Sequence, residues 1–534
     1  MQSTTRDPEV TNKKYDYGLI VVSLVVVAAT IVGLTVSPEQ GSAIANRAFA
    51  AITYVFGTPT LVFALASFAF LLWLAFSKYG DIRLGQEGPD FSTKSWVGMI
   101  LTAGLGSATV YWAFLEWAYY YQTPGLGVAA RSDDAYAWSL AYNFFHWGLS
   151  AWSLYCIAVL PIAYHLYVRK HSGFRLSSVV AAITGIRQRG PLGKLVDLIF
   201  IFTCIGGLSV TLGLSIPLLS EGVAGVFGWQ NSFMIDLAIV ALISVSFSLS
   251  SYLGIEKGVR RVTNFNSILA ILFLVALFVL GPSKFIVDNS VNALGIMLQN
   301  FVTMSLWTSP IQGSDFPESW TIFYWLYWIT YTPFMGVFVA RISRGRRVKE
   351  VIINMLVSGS LGCWVFFGVL ENYSMDAHLH GLVDVVGEMA ASSGNVAILQ
   401  VLGTLPMASL FVLFFVVLSM LFLISTLDSA SYTLAVTASR ELRNGQDPSA
   451  SHRLFWCLMV VVVPMAMIFV DAPLNTIKTA AIMTAVPLSA ILLLMCYGMV
   501  RWMREDYGLH SREQILVEAR APVTPALATR SATL

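Results

Sequence analysis

Apolar residues gather in twelve long stretches separated by short polar connections, near 18–37, 51–77, 95–121, 136–168, 195–220, 233–252, 262–281, 319–340, 350–370, 405–436, 454–471 and 477–503. A helix needs about 20 such residues to cross a bilayer, so each stretch is long enough to span. The pattern predicts an all-α polytopic membrane protein with twelve transmembrane helices. Between the seventh and eighth stretches, FIVDNSVNALGIMLQNFV mixes apolar and polar residues at helical spacing, which predicts an amphipathic helix lying at the external interface.

The departures from plain hydrophobicity carry the chemistry. In the eighth stretch Tyr324, Tyr327, Trp328 and Tyr331 fall at i, i+3, i+4 and i+7, one face of a helix. Pro333 follows and removes a backbone donor, freeing carbonyls near Trp328 and Ile329. The fourth stretch reads FFHWGLSAWSLY, with Trp147, Trp152 and Tyr155 on a broad face; His146 there is read as a structural donor to a neighbouring helix. The third stretch, GMILTAGLGSATVYW, sets Gly98, Gly104 and Gly106 among Thr102, Ser107 and Thr109. Such a run is either a small-residue packing face or an unwound turn lining a cavity, and the intramembrane Glu116 with Tyr119, Tyr120 and Tyr121 beyond it favours the cavity. The tenth stretch is the most polar, with Ser425, Thr426, Asp428, Ser429 and Ser431; its hydroxyls suit a hard cation or bond back to helix carbonyls. Gly359 and Gly362 in the ninth read as scaffold, and Asp376, His378 and His380 as part of a solvated external loop over 371–395.

Composition agrees with the spans: 534 residues are 56% hydrophobic and 12% charged, with a mean hydropathy of +0.70. Lys and Arg decide the orientation, because short cytoplasmic loops retain them. The connections on one side carry most of the loop charge, including Arg341, Arg344, Arg346 and Arg347; the other side holds Arg47, Arg131, Lys284 and Lys478. Both termini are therefore expected in the cytoplasm, and the net charge of +2 carries no message about nucleic acid. The five cysteines lack metal or disulfide spacing. No phosphate-binding loop, HExxH or GxSxG occurs, so an ATP-driven pump and an enzyme are both disfavoured. A secondary transporter remains, with a sensor or gated channel as the rival class.

Two aromatic sets imply a cage for a weakly hydrated cation without hydrogen-bond donors, the chemistry of a quaternary ammonium. Trp147, Trp152, Tyr119, Trp328, Tyr327 and Tyr331 would form it. With no Lys or Arg expected deep in a span, the glycine stretch would receive a carboxylate, which favours a zwitterion over choline.

SWTIFYWLYW at 319–328, ARISRGR at 340–346, FHWGLSAW at 145–152, the glycine stretch with Glu116, and DSASYTLA at 428–435 resemble the betaine/carnitine/choline transporters across all twelve segments. The resemblance implies two LeuT-like inverted five-helix repeats, segments three to seven (95–281) and eight to twelve (319–503). They would follow a tail (1–17) and two further helices (18–94), be joined by the interfacial helix and loop (282–318), and end in a tail (504–534), in a homotrimer of a bacterial inner membrane. It maps the substrate box onto Trp147, Trp152, Tyr155, Tyr327, Trp328 and Tyr331, with Tyr119 as the carnitine-type contact. The unwound backbone would be Gly104, Leu105, Gly106, Ser107 and Ala108, and a sodium ion would lie among Thr102, Leu105, Phe422, Ser425 and Thr426. No other metal, no cofactor and no catalytic residue is implied. Tyr327 and Tyr331 stand where the family usually has Trp; Cys204 and Leu208 replace the threonines of a second sodium site, so one sodium is expected. Met335 resembles the sodium-independent exchanger, whose segment-seven arginine is Asn266 here. The expected function is uptake of a glycine betaine- or carnitine-like zwitterion by alternating access, sodium-coupled, with precursor/product exchange or choline uptake as alternatives.

Overall fold

The computed structural model describes residues 15–103, 107–173, 175–252, 256–440 and 448–520. The first two segments are α1 (Tyr17–Val36) and α2 (Pro38–Phe76), the latter started by a proline in its first turn, where the missing donor costs nothing. The third is divided into α3 (Thr93–Ala103) and α4 (Ser107–Gln122). The fourth is α5 (Asp133–His146) and α6 (Leu149–Ala163), broken at Gly148, where an added Cβ would lie 2.3 Å from the Phe144 carbonyl oxygen. A short helix, α7 (Leu176–Thr184), ends at Gly185 in the left-handed region and leads into α8 (Pro191–Phe227).

Next come α9 (Phe233–Tyr252), α10 (Glu256–Leu280) and α11 (Ser283–Leu306), which turns 108° from the axis of α10 at Gly281–Pro282. A π-helical turn, Pro317–Ile322, opens α12 (Phe323–Ile342), and another, Met355–Gly359, joins α13 (Val348–Asn354) to α14 (Ser360–Leu379). The remainder is α15 (Val385–Ala391), α16 (Gly394–Gly403), α17 (Ala408–Thr437), α18 (Ala450–Phe469), α19 (Leu474–Tyr507) and α20 (Arg512–Arg520).

Each of the twelve expected segments meets a helix. Among the described residues nine stretches are long and apolar enough to cross a membrane, or ten if the bent α10–α11 pair is one. The third segment drops from that number because it is divided between α3 and α4, and α9 and α10 flank residues 253–255, outside the described residues. The ninth segment is longer than its hydrophobic core suggested: α14 carries Glu371 through Leu379 in helix, with Glu371 fully buried, so the expected external loop starts later.

Packing is turned toward the bilayer. Val25, Tyr54, Ile271 and Val291 point outward from α1, α2, α10 and α11, while Trp112, Trp117, Trp152, Trp325 and Trp456 are fully enclosed. The central pair is α6 against α12. Gly336 allows the approach, since a Cβ there would already touch Ala158 and Ile162 at 3.0 Å. On the side of the basic loops, the strand-like run 82–84 pairs with 345–348 (Leu84 N to Arg346 O 2.8 Å, Gly345 N to Leu84 O 2.7 Å). Arg346 lies 4.5 Å over the Trp96 ring and donates to Thr93 Oγ1 and the Phe91 carbonyl; Arg344 pairs with Glu87.

Candidate functional site

The α12 stripe faces α6 and the break before it. Trp328, 3% exposed, stands edge to face between Trp147 (5.2 Å) and Tyr155 (4.8 Å), and Tyr155 is edge to face with Trp152 (5.6 Å). These four rings form one cluster. Gly359 backs it, because a Cβ there would lie 2.2 Å from the Trp152 ring. Among the described residues the Trp328 indole N–H has no hydrogen-bond partner, a feature it shares with Trp325 and Trp456. Thr332 Oγ1 donates to the Trp328 carbonyl (3.0 Å) and to that of Leu154 (3.2 Å), so the oxygen expected to be freed near Pro333 is engaged by a side chain.

Tyr327 and Tyr331 turn toward α8. Their hydroxyls share Thr211 Oγ1, 3.0 Å from Tyr327, and Tyr331 also donates to the Gly207 carbonyl at 3.2 Å. Tyr331 borders a cavity of about 20 Å³ with Cys204, Gly207, Leu208 and Thr426. Both phenols thus find a polar partner on α8.

Tyr119 does not join the Trp147–Trp328 cluster. It bonds the Tyr111 hydroxyl (3.1 Å), packs on Trp320 (5.3 Å) and Trp112 (6.1 Å), and lines a cavity of about 520 Å³ with Tyr111, Asn231, Asp236, Asn395 and Ile477. The two groups are nonetheless connected. Trp320 stacks with Tyr324 (6.3 Å), and Tyr324 meets Trp147 (5.7 Å). The expected box is therefore one end of an aromatic ladder that begins at the large cavity.

Glu116 holds the ladder in register. Fully buried, it accepts from Trp147 Nε1 (2.9 Å), Asn143 Nδ2 (3.0 Å) and the Tyr120 hydroxyl. His146 bridges Tyr120 (2.8 Å) and Thr321 Oγ1 (3.0 Å) and stacks on Tyr324, as its expected structural role requires. Lys478 departs from expectation: although the sequence puts it with the external charges, it is 2% exposed in the second turn of α19, its ammonium 3.6 Å from the Trp320 ring centroid.

On α17, Ser425 Oγ (2.9 Å) and Thr426 Oγ1 (2.8 Å) both donate to the Phe422 carbonyl, bringing three oxygens together. These are the bonds back to a helix carbonyl that the sequence offers as the alternative to a cation site; each hydroxyl oxygen retains its lone pairs. Asp428 is committed elsewhere, to Arg453 at 2.6 Å. Gly104, Leu105 and Gly106 lie outside the described residues; Ser107 and Ala108 begin α4 and Thr102 is near the end of α3, their side chains outside the description. Among the described residues no three His, Cys, Asp or Glu side chains gather as for a metal. Sequence reasoning missed Trp112, Trp320, Thr211 and Lys478. Trp320 lies one turn before Tyr324, the first residue of the stripe already read, a signal that was available; Thr211 and Lys478 carried none.

The family model for the betaine/carnitine/choline family transporters matches residues 18–508. A carnitine transporter of Acinetobacter baumannii is 43% identical over 92% of this chain and 90% of its own. An Escherichia coli protein described as the uncharacterized transporter YeaV is 42% identical over 86% of this chain and 98% of its own, and the Bacillus subtilis glycine betaine transporter OpuD is 30% identical over 93% and 96%. A solved Na+-coupled sialic acid symporter in an outward-open state aligns with a TM-score of 0.44 at 13% identity, covering 88% of this chain and 96% of its own.

Proposed function

Because the chain belongs to the betaine/carnitine/choline transporter family, we propose that it takes up a small zwitterion with a trimethylammonium or dimethylsulfonium head, of the glycine betaine or carnitine kind. The observation that carries this reading is the buried cluster of Trp147, Trp152, Tyr155 and Trp328 at the end of a ladder of rings leading from a 520 Å³ cavity. Ring faces attract an alkylated cation by about 0.5 to 2 kcal/mol each once water is excluded. Tyr119 greets the head group at the cavity, and Tyr327 and Tyr331 form the polar wall of the site. The chain is an inner-membrane protein with both termini cytoplasmic, built from two inverted repeats over 95–281 and 319–503 and assembled as a homotrimer. Rocking of one bundle against the other exposes the ladder to each side in turn.

One sodium ion would be held by Ser425, Thr426 and the Phe422 carbonyl on α17, with Thr102 and Leu105 across from them, and would couple its gradient to uptake. The second sodium site is absent from this reading, because Cys204 and Leu208 make the small cavity beside Thr426 apolar. Uptake of radiolabelled glycine betaine and carnitine into proteoliposomes tests the proposal. Accumulation that requires an inward sodium gradient and is abolished by Trp328→Ala, with insertion preserved, is expected. Uptake that ignores sodium but requires substrate inside would replace symport by exchange; unchanged uptake in Trp328→Ala would remove the cage.

A further inference from the structure

Lys478 places its side-chain nitrogen where a quaternary ammonium would rest. Its Nζ sits 3.6 Å from the ring centroid of Trp320, 4.6 Å from that of Phe323 and 6.0 Å from that of Trp112, and it donates to the Ser319 carbonyl at 3.0 Å. Burying a lysine this completely is costly unless its charge is answered. Against that desolvation stand three ring faces, the Ser319 carbonyl and the field of the buried Glu116. Ammonium in an aromatic cage is the arrangement that recognises alkylated amines, so the chain fills this cage with its own side chain.

The position of the cage gives that occupancy a consequence. Tyr119 lines the large cavity and packs on Trp320, and Trp320 leads through Tyr324 to Trp147 and the inner cluster. A solute moving from the cavity along the rings passes the ring that carries Lys478. A bare quaternary cation meets a like charge there and has nothing to offer in return. A zwitterion presents a carboxylate, for which an ammonium with two remaining N–H groups is a partner.

We infer that Lys478 is a specificity-determining residue: a tethered ammonium in the Trp112–Trp320–Phe323 cage that screens incoming solutes, rejecting bare quaternary cations and admitting those that carry a carboxylate. The inference rests on the proposed route of the head group along the ladder. Its test is competition by choline against uptake of radiolabelled glycine betaine or carnitine in proteoliposomes of the wild-type chain, Lys478→Met and Lys478→Arg. In the wild type choline should compete poorly. Lys478→Met should improve choline competition by about tenfold relative to unlabelled zwitterion, the scale of removing one partly screened charge nearby, and should raise the KM for the zwitterion. Lys478→Arg should keep the wild-type preference. Choline competing as well as the zwitterion in the wild type overturns the inference without any variant, and so does an unchanged preference in Lys478→Met. Failure of the wild type to take up either zwitterion would fall on the proposed function instead; equilibrium binding of choline against glycine betaine to the purified wild type and Lys478→Met then reads the screen, and equal ratios in the two proteins overturn it.

Discussion

Glu116 shows how one side chain sets the geometry of a site it does not line. Its carboxylate takes the Trp147 N–H at 2.9 Å and the Asn143 amide at 3.0 Å, fixing the Trp147 ring against Trp328. Replacing it by alanine leaves buried donors without acceptors, at about 1 to 3 kcal/mol each. Glu116→Ala should therefore lower the thermal unfolding midpoint in detergent as well as uptake. Glu116→Gln keeps an oxygen for Trp147 and should retain most of the stability while raising KM, since the amide has one acceptor where the carboxylate has two. Equal stability in both variants would detach Glu116 from the ladder. The sequence singles out Glu116 as an acid inside a span and sets Tyr120 one turn along the same helix, yet gives no hint of Asn143 and Trp147, which reach it from another helix, 27 and 31 residues away.

At the scale of elements, α14 is the wall that the apolar pattern describes least well. Of the two glycines that read as scaffold, Gly362 in α14 packs against the Leu101 carbonyl, while Gly359, just before α14, packs against the Trp152 ring itself. The π-helical turn Met355–Gly359 brings Gly359 to that ring, and such insertions are common where a helix borders a site. Gly359→Val should displace Trp152, abolish uptake and leave membrane insertion intact, measured as wild-type amounts of folded protein on size exclusion. Wild-type KM in that variant would show that the ring is not part of the binding surface. Periodicity found a helix at every expected segment, nine or ten of them long and apolar enough to span among the described residues, and the helix α11, because helix formation depends on side chains a few residues apart. The sequence reading put Tyr119 in the inner box and Lys478 among the external-loop charges, because ring-to-ring neighbours across α4, α12 and α19 are set by tertiary packing and leave no period in the chain.

The whole molecule is tied on the side of the basic loops by charge pairs that span hundreds of residues. Asp81, its side chain fully enclosed, bonds Lys349 at the start of α13 and Arg512 at the start of α20 (2.8 Å to the latter), and Lys78 donates to the carbonyls of Gly508 and His510. Burial alone would raise the Asp81 carboxyl, but the hydrogen bonds and charges of Lys349 and Arg512 outweigh it and hold the group below the usual carboxylate range. A depressed folded-state value means stability that is full above the ordinary value, near 3.8, and lost as the pH falls through the lower, folded one. Thermal midpoints of the wild type and Asp81→Asn should therefore differ at neutral pH and converge as the pH drops below about 4. A constant gap across that range would mean that the carboxylate charge is not what docks α20. The ladder has a consequence of another kind. Indoles at Trp112, Trp320, Trp147, Trp328 and Trp152 are held in one chain of contacts linked by Tyr324 and Tyr155, with the Trp112–Trp320 and Trp147–Trp328 pairs near right angles. Coupled transitions at fixed angles give the protein a near-ultraviolet circular dichroism signal, so the proposed transport path would carry its own spectroscopic label, and a solute that wedges between two rings would rewrite that spectrum without any dye.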